Sequence, residues 1–346
     1  MTSLRPVAGA PHEVLSRLRS WWGDPDGSLT LETSGSTGAP KRVRLSRAAL
    51  AASATATQTR LGGPGQWLLD LPVDRVAGLQ VLVRSVAAGT APVVASDYGS
   101  LDVAVAAVDG DRAYASVVPT QLHRLAESGR LALLRRFDAV LVGGAATAPG
   151  LLERAADEGV RVVRTYGMTE TAGGCVYDGL ALDGVGIRID VEGRVHLAGP
   201  VLFDGYEDDP AATAGALVDG WFRTDDLGRL DDDGRLVVLG RVDDVAVSGG
   251  VNVPLPAVTE ELLGVPGVDD AIAVGVPDAE WGAVVVACVV ADPAPEIDAV
   301  RDHIADRLPR EWVPRGVVRV ASIPRLTGGK VDRQAVRRLA EREWRS

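Results

Sequence analysis

The sequence predicts an α/β protein: a large N-terminal domain with a mostly parallel sheet, a β-rich subdomain, and a small α+β C-terminal domain. Three observations carry this. Up to about residue 180, short apolar runs alternate with Ala/Leu/Arg-rich helical stretches, the pattern of strands joined by crossover helices. From Gly184 the helical stretches give way to short strands separated by Gly and Asp turns. After Val242-Asp243-Asp244 a separate segment follows that is about 100 residues long, a common domain size. The expected domains are therefore residues 1–242, with the β-rich part at 183–242, and residues 243–346.

Each element follows from local pattern. A short helix is expected over His12–Trp22, closed by the turn Gly23-Asp24-Pro25-Asp26-Gly27. Strands are expected at Leu29–Glu32 and Arg42–Leu45, around a loop rich in Gly, Ser and Thr. Gln66–Leu71 reads as a strand, Leu79–Ala88 as a helix and Pro92–Ala95 as a strand. Ala113–Val117 is a strand, and a helix runs over Thr120–Ser128. Ala139–Val142 and Arg161–Thr165 are strands around the helix Leu151–Glu158. Gly186–Val191, Arg194–Ala198 and Arg235–Leu239 are the short strands of the β-rich part. Ala283–Ala291 is the most apolar stretch, far too short to span a bilayer, and reads as a buried strand.

Composition narrows the function classes. The chain is 46% hydrophobic and 24% charged with a net charge of −11, which fits a soluble globular protein and argues against a nucleic-acid binder or a polybasic membrane-surface protein. The first ten residues have no basic-then-apolar segment, so a secretory leader is not expected. Cys175 and Cys288 lie far apart with no metal-ligand spacing, and a reducing cytoplasm is the expected setting. Of 36 basic residues only Lys41 and Lys330 are lysine. Both sit in Gly-rich segments, where a compact ammonium on a flexible stem can do what a planar guanidinium cannot; codon bias with two accidental survivors is the plainer reading.

Five segments point to chemistry. Thr33-Ser34-Gly35-Ser36-Thr37-Gly38-Ala39-Pro40-Lys41 offers converging backbone N–H groups and hydroxyls to a phosphate, although such a loop can be a plain hairpin turn. It does not match the Walker pattern, which needs Gly-Lys-Ser/Thr entering a helix. Thr165-Tyr166-Gly167-Met168-Thr169-Glu170-Thr171 follows an expected strand, and ligands in α/β sheets sit beyond the carboxyl ends of strands. A carboxylate there suits Mg²⁺ held against phosphate oxygens; alone, Glu170 reads rather as a solvated loop residue. Trp221 to Gly228 contains Asp225 and Asp226 in a turn suited to ribose hydroxyls or to nothing beyond a turn. Gly240-Arg241-Val242-Asp243-Asp244 precedes Ser248-Gly249-Gly250-Val251-Asn252-Val253, and Pro324 to Arg333 places Lys330 in a late Gly-rich loop.

In this order, spanning Thr33 to Arg333, the segments resemble the acyl-CoA synthetase, adenylation-domain and luciferase superfamily. Val118-Pro119-Thr120 and Val142-Gly143-Gly144-Ala145 are similar to further family segments, the latter beside the adenine and acyl pocket. Within the superfamily, the stretches Arg60–Gly65, Val76–Ser85 and Gly173–Gly179 look most like the o-succinylbenzoate–CoA ligases of menaquinone biosynthesis, in a short version.

The resemblance implies ATP, Mg²⁺ and coenzyme A, with a small carboxylic acid as the partner substrate. It implies no nucleic acid and no stable membrane anchoring, and leaves a homodimer open. It implies Lys330, Glu170 and Thr169 as catalytic residues, with Glu170 on the metal. ATP would be held by Thr33, Ser34, Gly35, Ser36, Thr37, Gly38, Lys41, Gly143, Gly144, Ala145, Thr165, Tyr166, Gly167, Met168, Asp226 and Arg241. The acid would meet Arg75, Gly78 and Gly174, with Asp243 as hinge and Gly249 and Gly250 toward coenzyme A. Three departures stand out: few residues precede the phosphate loop, Arg75 stands where His is common, and Asp225 where Gly is common. Another aryl- or alkyl-acid–CoA ligase, a stand-alone adenylation enzyme and a non-catalytic nucleotide-binding descendant are the alternatives.

Overall fold

The computed structural model describes residues 4–33, 41–293, 295–325 and 331–344. Helix α1 (Pro11–Trp21) leads into the antiparallel hairpin β1 (Ser28–Thr33) and β2 (Lys41–Ser46). Helix α2 (Arg47–Leu61) follows at once, capped by the Ser46 hydroxyl, which accepts from the Ala49 N–H, and ended by Gly62 in the left-handed region. No helix was expected here, because its buried face is made of small and hydroxyl residues, Ala49, Leu50, Ser53, Ala54, Ala56 and Thr57.

Strand β3 (Gln66–Leu69), helix α3 (Val76–Ala88), strand β4 (Val93–Val94), helix α4 (Leu101–Ala106), strand β5 (Ala113–Val117), helix α5 (Pro119–Glu127), strand β6 (Ala139–Gly143), helix α6 (Pro149–Asp157) and strand β7 (Val162–Met168) come next. With β8 (Gly173–Tyr177) and β9 (Leu180–Ala181) the strands form a seven-stranded sheet in the order β4-β3-β5-β6-β7-β8-β9. It is parallel from β4 to β7 and antiparallel from β7 to β9. Side chains alternate between two cores: Trp67, Tyr114 and Leu141 enter one, while Leu68, Ala115 and Val140 enter the other. A sheet buried on both faces explains the near-continuous apolar runs.

The remaining elements are β10 (Gly186–Ile189), β11 (Arg194–Ala198), β12 (Gly205–Tyr206), α7 (Pro210–Ala216), β13 (Leu217–Val218), β14 (Trp221–Leu230), β15 (Leu236–Arg241), β16 (Val245–Ser248), β17 (Val251–Pro254), α8 (Leu255–Leu263), β18 (Asp270–Asp278), β19 (Gly282–Val290), α9 (Ile297–Ala305), β20 (Gly316–Arg319) and α10 (Arg333–Trp344). Strand β12 joins the first hairpin as β1-β2-β12, and β10-β11-β14-β13 forms a sheet with β15 on β14. The last sheet runs β17-β16-β19-β18 with β20 parallel to β19. Along β19, Val285, Ala287 and Val289 face one core, and Val284, Val286 and Cys288 the other.

The chain divides into two compact units. One comprises Met1–Arg188, His196–Thr224 and Leu230–Leu236; the other Ile189–Val195, Asp225–Arg229 and Val237–Ser346. The second unit thus starts ahead of Asp243 and takes two short segments from the β-rich stretch. Among the described residues no helix is long and apolar enough to cross a membrane.

Candidate active site

In the first unit a cleft of about 580 Å³, open mouth included, lies at the carboxyl ends of the parallel strands. Strand β5 and the residue after it give Ser116, Val117 and Val118; β6 gives Leu141 and Gly143, followed by Gly144. Thr165 and Gly167 come from β7, Gly173, Gly174 and Tyr177 from β8. One wall is helix α3, through Val76, Ala77, Gln80 and Arg84. This is where the topology of an open α/β sheet places a ligand.

Glycines set the shape of the cleft. A methyl group at Gly174 would lie 3.1 Å from Thr165 Cβ and 3.3 Å from the Tyr177 ring. Gly167 sits at φ +156°, where the β7–β8 register shifts between Tyr166 and Gly167. Strand β7 was expected to stop at Thr165, but it continues through Tyr166, Gly167 and Met168 because β8 returns antiparallel and gives them partners. It is also only partly buried, with Arg164 exposed.

Beyond β7, Thr169, Glu170 and Thr171 form one 3-10 turn. The Met168 N–H donates to Thr171 Oγ1 at 2.9 Å, and that hydroxyl lies 2.7 Å from the Gly173 carbonyl. Ala172 follows in the left-handed region at φ +49°. Its carbonyl accepts from Ser53 Oγ at 3.0 Å and from Gln80 Nε2 at 2.5 Å, tying the turn to α2 and α3.

Glu170 Oε1 accepts a 3.0 Å hydrogen bond from the Tyr206 hydroxyl, and Lys41 Nζ stands 4.9 Å from the Tyr206 ring centre. Thr33 is paired with Lys41 across the hairpin, its hydroxyl donating to the Lys41 carbonyl at 3.4 Å. The turn carrying Glu170 and the hairpin carrying Lys41 thus meet on one tyrosine, which the sequence did not single out. Ser34, Gly35, Ser36, Thr37, Gly38 and Lys330 lie outside the described residues. Among the described residues no group of three or more His, Cys, Asp or Glu side chains is placed to hold a metal. A lone carboxylate such as Glu170 still fits Mg²⁺, which takes one or two carboxylates and completes its shell with substrate phosphates and water.

Two residues expected at the acid stand elsewhere. Arg75 is exposed at the N-terminal cap of α3, where Nη1 donates to the Glu32 carbonyl at 3.3 Å, and it is absent from the cleft lining. Gly78 lies on the buried face of α3, where an added Cβ would lie 2.8 Å from the Leu71 carbonyl oxygen; it lets the helix approach the Leu71–Pro72 backbone. Gly174 does line the cleft, as do Gly143, Gly144, Thr165 and Gly167. Ala145 is exposed in the turn after β6, and Tyr166 and Met168 are half-buried on β7.

The guanidinium within the cleft wall is Arg84, 4% exposed. Nη2 donates to the Tyr177 hydroxyl at 3.3 Å, Cζ lies 4.9 Å from the Trp67 ring centre, and Nε is buried without a hydrogen-bond partner. Burial lowers its pKa, against the raising influence of Tyr177. A buried cation needs a partner, and an orphan donor on a side chain that lines a cleft is a place for an anionic ligand. The signal was legible: one arginine inside the apolar run Val76–Ala88, whose residues Gly78–Ser85 are all buried. Gln80, one helical turn before it, likewise has a buried Oε1 without a partner.

In the second unit Arg241 gathers three carboxylates: Asp243 at 3.0 Å from Nε, Asp225 at 3.5 Å from Nη2 and Asp226 at 3.9 Å from Nη1. Arg194 meets Asp225 at 3.4 Å. Gly249 and Gly250, at φ +57° and +81°, make the β16–β17 turn, and the Gly249 N–H donates to the Trp281 carbonyl at 2.9 Å.

Residues 30–206 match the family described as AMP-binding enzyme, and residues 258–330 match the AMP-binding enzyme C-terminal domain. A probable 2-succinylbenzoate–CoA ligase of Mycobacterium tuberculosis is 45% identical, over 92% of this chain and 86% of the relative. The 2-succinylbenzoate–CoA ligase of Listeria monocytogenes serotype 4b is 29% identical, over 97% and 74%. Among solved structures, o-succinylbenzoate CoA synthetase from Bacillus subtilis in complex with its acyl-adenylate intermediate aligns with a TM-score of 0.73 and 28% identity, over 89% of this chain and 68% of that one.

Proposed function

The chain belongs to the AMP-binding enzyme family, and from that premise we propose that it is an AMP-forming acid–CoA ligase converting o-succinylbenzoate to o-succinylbenzoyl-CoA through an acyl-adenylate. The named relatives support this acid, and one observation carries it: a buried guanidinium with an unpartnered Nε in the wall of an otherwise largely apolar cleft. o-Succinylbenzoate has two carboxylates. One reacts; the other must be held, and Arg84 offers it a charge that stays protonated at working pH.

In the first half-reaction an oxygen of the reacting carboxylate attacks the α-phosphorus of ATP, and pyrophosphate leaves. Two anions approach, so the residues must supply positive charge where negative charge grows. Lys330 bridges the carboxylate and α-phosphate, and the loop from Thr33 to Lys41 holds the departing phosphates. Glu170, with Thr169 beside it, would hold Mg²⁺, which when bound neutralises phosphate charge. Tyr166 packs on adenine, Gly143, Gly144 and Ala145 border it, and Asp226 and Arg241 hold the ribose hydroxyls. In the second half-reaction the thiol of coenzyme A attacks the acyl carbonyl and AMP leaves, with Asp243 as hinge and Gly249 and Gly250 presented to coenzyme A.

A fatty-acid ligase of M. tuberculosis is also 30% identical to the chain. A desolvated guanidinium in the cleft wall disfavours an aliphatic chain as occupant. Purified protein is given ATP, Mg²⁺ and coenzyme A with o-succinylbenzoate or with a panel of aryl monocarboxylates and fatty acids, and AMP and thioester are read by mass spectrometry. o-Succinylbenzoate is expected to give the highest kcat/KM; a fatty acid or monocarboxylate turned over faster sinks the assignment.

A further inference from the structure

A buried arginine that selects a ligand must have its orientation fixed, and two contacts do this for Arg84. The Trp67 ring lies against the guanidinium, Cζ 4.9 Å from its centre. The Tyr177 phenol oxygen takes Nη2 at 3.3 Å, and it lies 3.0 Å from Thr57 Oγ1. Trp67, Thr57 and Tyr177 are all 2% exposed or less.

The direction of the Arg84 bond follows from the group. A guanidinium only donates, so the Tyr177 oxygen accepts from Arg84. Between the phenol and Thr57 Oγ1 either hydroxyl can donate, and the bond holds the ring in either case. Tyr177 is thus held from α2 and itself holds α3, and the Gln58 side chain donates to the Arg84 carbonyl at 3.4 Å, fastening the backbone at the same place. Gly174 keeps room for the Tyr177 ring, since a Cβ there would lie 3.3 Å from its Cε1.

We propose that Tyr177, oriented by Thr57, is a positioning residue that fixes the rotation of Arg84 and thereby sets the preference for an acid with a second carboxylate. The proposal rests on the acid assignment above. With Nη2 committed to the phenol and the Trp67 ring against Cζ, Nε is left without a partner as donor for the non-reacting carboxylate. Remove the phenol oxygen and the cation remains, but its direction is lost.

The test compares kcat/KM for o-succinylbenzoate with that for the same acid lacking the non-reacting carboxylate, in wild type, Arg84→Gln, Tyr177→Phe and Thr57→Val. The wild type is expected to prefer the diacid, and Arg84→Gln to abolish the preference. Tyr177→Phe is expected to reduce the ratio about tenfold, the scale of one hydrogen bond to a charged group, through the KM of the diacid and with the KM of ATP unchanged. Thr57→Val, which keeps the side-chain shape, moves the ratio the same way by a smaller factor and carries the test if Tyr177→Phe does not fold. A wild-type ratio in both Tyr177→Phe and Thr57→Val, or equal losses on both acids, overturns the positioning role while leaving Arg84 in place. No diacid preference in the wild type, or a ratio insensitive to Arg84→Gln, overturns the acid assignment itself.

Discussion

The Tyr206 hydroxyl donates to Glu170 Oε1 at 3.0 Å, so the carboxylate proposed for Mg²⁺ is held by a side chain from a strand 36 residues further on. Tyr206→Phe keeps the ring under Lys41 and removes that donor. The Mg²⁺ concentration giving half-maximal ATP–pyrophosphate exchange should rise several-fold, while Glu170→Gln should lower exchange by about a hundredfold or more, in line with loss of a group that stabilises transferring phosphate. An unchanged Mg²⁺ midpoint in Tyr206→Phe would mean that the hydrogen bond does not prepare the metal site.

Lys330→Ala should cut adenylate formation by orders of magnitude and spare thioester formation from pre-made acyl-adenylate. The two half-reactions are measured apart, by pyrophosphate exchange and by coenzyme A consumption. Equal loss in both argues against a role for Lys330 confined to adenylation.

Asp243→Pro tests the hinge. A hinge absorbs a backbone dihedral change that proline resists. Thioester formation should fall more than adenylation. Asp243→Ala controls for loss of the 3.0 Å contact to Arg241 Nε. If proline and alanine behave alike, the carboxylate matters and the hinge assignment fails.

Both thiols should be silent in the folded protein. Cys175 and Cys288 are fully buried, and burial pushes each thiol up to about 12. Since the thiolate is the reactive form, a thiol-specific reagent at pH 8 should label neither until denaturant is added, then both. Rapid native labelling of one would show that its surroundings open.

Arg75→Ala should leave the KM of the acid within about twofold, as expected of an exposed side chain whose one described contact is a backbone carbonyl. A tenfold rise would bring Arg75 back as an acid contact.

How much of this was legible depends on what each residue advertises. Periodicity gave β5 to the residue and most of the parallel sheet, because strands buried on both faces are nearly pure apolar runs. Helix α2 was hidden because it packs on Ala, Ser and Thr rather than on a large apolar stripe. The end of β7 was misplaced because its last residues are paired by a strand that arrives later in the chain. Motifs led to Glu170 and Lys41, while Tyr206 carries no local mark of being the ring that joins them. Arg75 drew attention by standing where relatives carry another residue. Arg84 lay inside a stretch already quoted, and only burial separates the two guanidiniums.

Ala172 has one further consequence. Its carbonyl takes hydrogen bonds from Gln80, in the wall of the acid cleft, and from Ser53, while its own residue closes the turn that carries Glu170. On the proposed function, acid choice and nucleotide handling share a joint. Changes at Gln80 made to widen the range of acids would be felt at Glu170, and their effects would not add to those of changes in the turn. For a laboratory evolving new acid scope, paths that alter the cleft wall and the turn together should stay open where single steps stall.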